Sequence, residues 1–286
     1  MIPGRASRHL MEERRDRLGN LINRSQGTRS KNRSAEMTTE EERRHDMSDR
    51  ARNHQRVIAI DGPAGAGKTT VARDLAARLG AMLFDTGALY RSVTLAALRS
   101  GIPLDDAPAL ERLATESRID LRPRSVDDGR LIDVLLDGED VTWAIRTPEV
   151  DATVSEVSAH QGVRAALLPV QRRIAEGVAI VMVGRDIASV VVPDAGVKIY
   201  LDASVAERAR RRARDLRAQH IEVTDVEVEA DLRARDAFDS SREHSPLVLS
   251  GDAIHIDTDH LTIPAVVDRL ETLVHERWRQ LGIEQG

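Results

Sequence analysis

The sequence contains no cysteine. Disulfides, cysteine-ligated zinc and thiol nucleophiles are therefore excluded, and a reducing cytoplasm is the natural expectation for the chain. Aromatic residues make up only 2% of the 286 positions, two each of Phe, Tyr and Trp. That is too few for a base-stacking platform along single-stranded nucleic acid. The formal net charge is −5, so there is no basic surplus to attract a nucleic-acid partner. No apolar run approaches the roughly 20 residues that cross a bilayer, and the first residues carry no apolar stretch of the secretory type. Lysine is nearly missing too: all but three of the 42 Lys and Arg residues are arginine, the exceptions being Lys31, Lys68 and Lys198. A GC-rich coding sequence explains most of that bias, and it makes the placement of Lys68 informative.

What remains is a chain with 41% hydrophobic and 31% charged residues, the composition of a soluble globular protein long enough for one large domain or two modest ones. Residues 1–54 stand apart. They hold 13 Lys and Arg against 9 Asp and Glu, with Gly, Ser and Asn scattered among the charges and little periodicity. They read as a disordered extension with at most a short helix over residues 10–22. The acidic run Glu40, Glu41, Glu42 argues against a transit peptide, and Met37 and Met47 are both plausible starts.

From Arg56 the pattern changes. Val57–Ile60 is a short β-rich run, followed by a helical pattern with Val71, Ala72, Leu75, Ala76 and Leu79 on one face and Gly80 at its end. Met82–Phe84, Val178–Val183, Val197–Leu201 and Ala253–Ile256 supply four more apolar strands. Strands that are apolar throughout, with helices between them, imply a parallel five-stranded sheet covered on both faces. Ser204 with Glu207 and Thr224 with Glu227 predict capping boxes, and Thr262 with Pro264 opens the last helix. Ile119–Leu121 and Leu131–Leu136, turned by Asp127-Asp128-Gly129 and followed by Asp137-Gly138-Glu139, predict a small antiparallel insert. No internal repeat is visible.

Gly62-Pro63-Ala64-Gly65-Ala66-Gly67-Lys68-Thr69 fits G-x-x-x-x-G-K-[ST] at every fixed position, with a strand before it and a helix after it. Such a loop wraps phosphate oxygens with main-chain N–H groups, so glycine is needed where φ is positive. The helix N-terminus points further N–H groups at the same anion. Lys68 adds a movable charge for the β- and γ-phosphates of a nucleotide, the Thr69 hydroxyl is placed to ligate Mg²⁺, and Thr70 completes the nucleotide-binding segment. A P-loop does not by itself name the reaction. The Asn-Lys-x-Asp run of GTPases and the Leu-Ser-Gly-Gly-Gln signature of transport ATPases are absent, which leaves small-substrate kinases and, in another class, a nucleotide-dependent regulatory protein. A kinase needs a second anion site, best built from bidentate arginine at strand ends on the P-loop side. Arg91 after the second strand and Arg185 after the third are so placed. Arg235 and Arg242 lie in a later charged segment.

These motifs resemble the bacterial cytidylate kinase family from about Arg56 to the C-terminus. The resemblance is carried by Ile60 to Lys68, by Asp85-Thr86-Gly87-Ala88-Leu89-Tyr90-Arg91, by Leu136-Asp137-Gly138-Glu139-Asp140-Val141, by Ile145-Arg146-Thr147-Pro148-Glu149-Val150, by Gly184-Arg185-Asp186, and by Val192-Pro193-Asp194-Ala195 leading into Val197–Ser204. It implies a P-loop NTPase-type α/β fold with a monophosphate-binding insert at about 115–165 and a helical lid at about 205–223, inside a kinase domain spanning 55–286. It implies transfer from Mg-ATP to CMP or dCMP by a monomeric enzyme of pyrimidine nucleotide metabolism. Thr86, Arg91, Arg185 and Arg242 would hold the CMP phosphate; many relatives have Ser at the first of these, and Thr keeps the hydroxyl. Ser155, Arg164 and Asp186 would read the cytosine, and Asp239 would bind the ribose. Lys68, Arg185, Arg235 and Arg242 would carry the catalysis. Arg235, with helix arginines such as Arg208 and Arg212, would close over ATP.

Overall fold

The computed structural model describes residues 54–218 and 220–283. The expected extension, with its short helix, falls almost wholly outside them. The described chain divides into two compact units, one of residues 88–174 and the other of residues 54–87 with 175–283.

The second unit is built on β1 (Val57–Asp61), β2 (Met82–Asp85), β6 (Ile180–Val183), β7 (Val197–Asp202) and β8 (Ile254–Asp257), all parallel, in the order β2-β6-β1-β7-β8. The five strands read from the apolar runs are the five found. All of β1 and β6 is buried, which is why these runs are apolar throughout instead of alternating. Ile60 lies opposite Val183 on one side and Ile199 on the other. In-register parallel pairing therefore delivers the segments after β1, β2, β6 and β7 to one edge of the sheet, where open α/β sheets bind their ligands.

Helix α1 (Lys68–Leu79) buries Val71, Ala72, Leu75 and Ala76. They join Ile58, Ile60, Val181, Ile199 and Leu201 from the sheet, and Val266, Leu270, Val274 and Trp278 from α8 (Ile263–Gln280), in one core. Gly80 stops α1 in the left-handed conformation, φ 60°, as a C-terminal glycine does. Helices α6 (Val205–Ala218) and α7 (Asp225–Ser241) pair through a small core of Ala209, Ala213, Val228 and Leu232. The expected capping box of α7 is complete, Thr224 and Glu227 each bonding the other's main chain. At α6 only half of the expected box forms. The Ser204 hydroxyl accepts from Glu207 N–H, but Ser204 N–H donates to Asp259, and the Glu207 carboxylate goes to Arg210 and Arg211. Two neighbouring guanidiniums offer charge-assisted bonds that a neutral amide cannot match.

The first unit carries the antiparallel sheet β3 (Ile119–Pro123), β4 (Ile132–Leu136) and β5 (Glu139–Asp140). Its helices are α2 (Gly87–Ser100), α3 (Ala107–Glu116), α4 (Pro148–Val157) and α5 (Gln161–Ile174). The turn from β4 to β5 has φ 51° at Asp137 and 92° at Gly138, two consecutive positive values of the kind a tight hairpin demands. The loop from β3 to β4 is ordered by Arg130, which is buried and pairs with Asp128, Asp133 and Asp140 at 2.8, 3.1 and 2.7 Å.

Leu75 is fully buried at the centre of the larger core. Leu75→Ala is expected to lower unfolding stability by about 2–5 kcal/mol, read from equilibrium urea denaturation.

Candidate active site

The P-loop has the backbone its glycines predict: φ is 147° at Gly62, 76° at Gly65 and 85° at Gly67. Gly62 is constrained by space as well. A Cβ there would stand 2.0 Å from the Leu201 carbonyl oxygen of β7, so only glycine lets the chain leave β1 at this point. Gly67 caps α1 without any side-chain bond, which leaves the first N–H groups of that helix directed at the loop. Thr70 is exposed on the first turn.

Lys68 is buried, and its ammonium folds back to donate to the Pro63 carbonyl at 2.6 Å. Burial, and then the nearby Arg185 guanidinium, pushes its pKa well below the usual lysine range, with Asp85 and Asp61 acting the other way. The site thus holds a cation short of anionic partners. Thr69 Oγ1 donates to Asp85 Oδ2 at 2.9 Å, and the other oxygen of Asp85 accepts from Gly87 N–H at 3.0 Å. Asp61, at the end of β1, accepts from the N–H groups of Ile187 and Ala188 at 2.8 and 2.7 Å. Burial pushes this carboxyl up to about 6 against the pull of those two bonds. Asp61 thereby fixes the π-helical turn Ile187–Val191 and, with it, the Arg185-Asp186 pair just before that turn.

Arg185 donates to the Gly62 carbonyl at 2.8 Å and to Asp239 Oδ2 at 3.0 Å. Arg242 donates to Asp239 Oδ1 at 2.5 Å. One carboxylate, 1% exposed, therefore holds two guanidiniums together beside the P-loop. The charge of Arg235, from the same helix as Asp239, also bears on Lys68. Asp186 is buried, and its carbonyl accepts from the N–H groups of Val190 and Val191. Thr86 Oγ1 donates to the Val183 carbonyl at 2.9 Å. Gly184 makes that possible, since a Cβ there would lie 2.9 Å from Thr86 Oγ1 and 2.6 Å from Ile187 Cδ1.

Arg91, Ser155 and Arg164 lie in the first unit, while Arg212 is on α6 of the second. Arg91 donates to the Ile145 carbonyl at 3.2 Å and forms an ion pair with Asp151. The Arg164 guanidinium lies 5.2 Å from the centre of the Tyr90 ring and donates to the Ser158 carbonyl at 3.0 Å. Ser155 is on α4, and its carbonyl accepts from the Ser158 hydroxyl.

A family model described as "Cytidylate kinase" matches residues 58–276. The chain belongs to the cytidylate kinase family. It is 47% identical over 223 residues to a cytidylate kinase of Geobacter sulfurreducens, covering 78% of this chain and 94% of that one. A cytidylate kinase of Herpetosiphon aurantiacus is 48% identical over 202 residues, 71% of this chain and 86% of that one. A bifunctional pantoate ligase/cytidylate kinase of Synechococcus is 46% identical over 233 residues. This chain covers 81% of its own length there but only 43% of that relative.

Within this member of the cytidylate kinase family, several residues that the sequence did not single out hold the site together. Asp61 and Asp85 both end strands at the ligand edge, a position that marks them in retrospect. Arg208, which the resemblance named among the arginines that would close over ATP, is 3% exposed and hydrogen-bonded within the protein. It donates to the carbonyls of Ala203 and Ala64, each at 3.0 Å, and to Asp236 at 2.6 Å. It clamps α6 onto the P-loop, where the Arg208 Cβ would stand 3.2 Å from a Cβ at Gly65. Arg208→Ala should therefore cost about 3–5 kcal/mol in chemical denaturation, because it strands the Asp236 carboxylate. Arg210→Ala, on the exposed face of the same helix, should stay within about 0.5 kcal/mol of wild type.

Proposed function

We propose that the chain transfers the γ-phosphoryl group of Mg-ATP to CMP or dCMP, giving ADP with CDP or dCDP. Family membership makes it a CMP or dCMP kinase; the donor, the metal and the residue roles are our reading. The observation that carries it is the pair Arg185 and Arg242 on one buried carboxylate, with Arg185 also on the Gly62 carbonyl of the P-loop. Cations fixed in advance where negative charge will gather stabilise a phosphoryl-transfer transition state without reorganising.

The P-loop from Gly62 to Thr70 would cradle the ATP phosphates, with Lys68 leaving the Pro63 carbonyl to meet them. The residues present suit Mg²⁺. The Thr69 hydroxyl offers a hard oxygen, with the Asp85 carboxylate hydrogen-bonded beside it. Magnesium prefers one or two protein oxygens plus phosphate and water. Thr69 would hold it, and the bound ion would neutralise charge on the donor phosphates. Thr86, Arg91, Arg185 and Arg242 would grip the CMP phosphate. Asp186 would accept from the cytosine N4 amine while Arg164 donates to O2 and Ser155 assists, a donor–acceptor order uracil cannot meet. Asp239 would reach the ribose. Arg235 would add charge at the transferred group, and closure of the segment at about 205–223 would exclude water. The acceptor is already an anionic phosphate oxygen, so no general base is needed. The reading places the chain in the cytoplasm as a monomer serving pyrimidine nucleotide metabolism.

A coupled assay of ADP release across CMP, dCMP, UMP and AMP tests this. CMP or dCMP should be preferred, and the preference should be lost for UMP and AMP. Lys68→Ala should keep the fold and lose at least about 100-fold in turnover; wild-type turnover would contradict the assignment. Lys68 also predicts a pH effect with a definite sign. Its pKa is depressed in the free protein, and an anionic phosphate favours the ammonium, so nucleotide binding takes up a proton above the free pKa. ADP affinity should therefore fall as pH rises through that range. Calorimetry in buffers of different ionisation enthalpy should show the uptake in wild type and none in Lys68→Met.

A further inference from the structure

We propose that Asp85 is a positioning residue that sets the Thr69 hydroxyl for a divalent cation, an inference that rests on the kinase reading above. A hydroxyl has one proton and two lone pairs. Asp85 Oδ2 takes that proton at 2.9 Å, so the lone pairs of Thr69 Oγ1 are turned away from the carboxylate and left for a cation. Without Asp85 the hydroxyl rotor is free to point its proton at the metal position. The adjacent negative charge also makes the hydroxyl oxygen a stronger ligand, as partners of metal-binding groups do.

The carboxylate is itself held in place. Its second oxygen accepts from Gly87 N–H at 3.0 Å, and a Cβ at Gly87 would stand only 3.0 Å from that oxygen. Both oxygens are thus used, and the β2 strand fixes the backbone behind them. The same carboxylate favours the charged form of Lys68, so one side chain supports both cationic partners of the donor phosphates. Asp85 directly precedes Thr86, the residue assigned to the acceptor phosphate. Two neighbours at the end of β2 would therefore serve the two halves of the reaction.

The test is equilibrium binding of ADP to the full chain, with and without Mg²⁺, for wild type, Asp85→Asn and Asp85→Ala, paired with electron paramagnetic resonance of Mn²⁺ in the ADP complex. Wild type should bind ADP more tightly with the metal. Both variants should lose about 10-fold of that enhancement, leave more Mn²⁺ free, and keep their metal-free ADP affinity within about twofold, which also shows that they are folded. In turnover, the Mg²⁺ concentration for half-maximal rate should rise by about 10-fold with KM for CMP unchanged. If both variants keep the wild-type metal enhancement, or lose ADP affinity equally with and without metal, the positioning role is overturned. If wild-type ADP binding ignores the metal altogether, the kinase reading itself fails.

Discussion

Arg185 holds a P-loop carbonyl with one nitrogen and a buried carboxylate with another, and the candidate site depends on that bridge. It places a permanent positive charge next to Lys68, whose ammonium is already penalised by burial. Such crowding of cations is tolerable only because carboxylates are threaded through it. Asp239 offsets Arg185 and Arg242, Asp236 offsets Arg208, and Asp85 and Asp61 favour the charge on Lys68. Fixed cations grouped in this way favour an anionic ligand, which is the role proposed for them above.

The sheet makes that shape possible. Four strands end together, and each end delivers one part: the P-loop after β1, Asp85 and Thr86 at β2, Arg185 and Asp186 after β6, and the approach to α6 after β7. Close main-chain packing then demands glycine. A side chain at Gly62 would strike the Leu201 carbonyl, and one at Gly184 would strike Ile187 and Thr86. Helix α7 contributes Arg235, Asp236 and Asp239 from a single face region, so α7 connects the Arg208 clamp to the two guanidiniums on Asp239.

Much of this was legible in the sequence, for identifiable reasons. The apolar runs gave the five parallel strands because β1 and β6 are buried on both sides, and the P-loop glycines announced their positive φ values. The Asp-Thr-Gly-Ala-Leu-Tyr-Arg and Asp-Gly-Glu-Asp-Val stretches carried the family resemblance that the comparisons bear out. What stayed hidden were partnerships between residues distant in sequence. Nothing in a run of arginines says that Arg208 is buried on a P-loop carbonyl while Arg210, two residues away, is exposed. Arg130 drawing three aspartates together, and Ser204 trading its capping partner for Asp259, are likewise decided by tertiary proximity and not by local pattern.

In the proposed reaction the guanidiniums beside the P-loop receive an acceptor phosphate and do more than balance carboxylates. Phosphorus NMR of the protein mixed with Mg-ATP and CMP tests it most directly. The account predicts CDP resonances growing in step with those of ADP, with little inorganic phosphate. ADP appearing together with inorganic phosphate alone, or ATP remaining unconsumed, would contradict it.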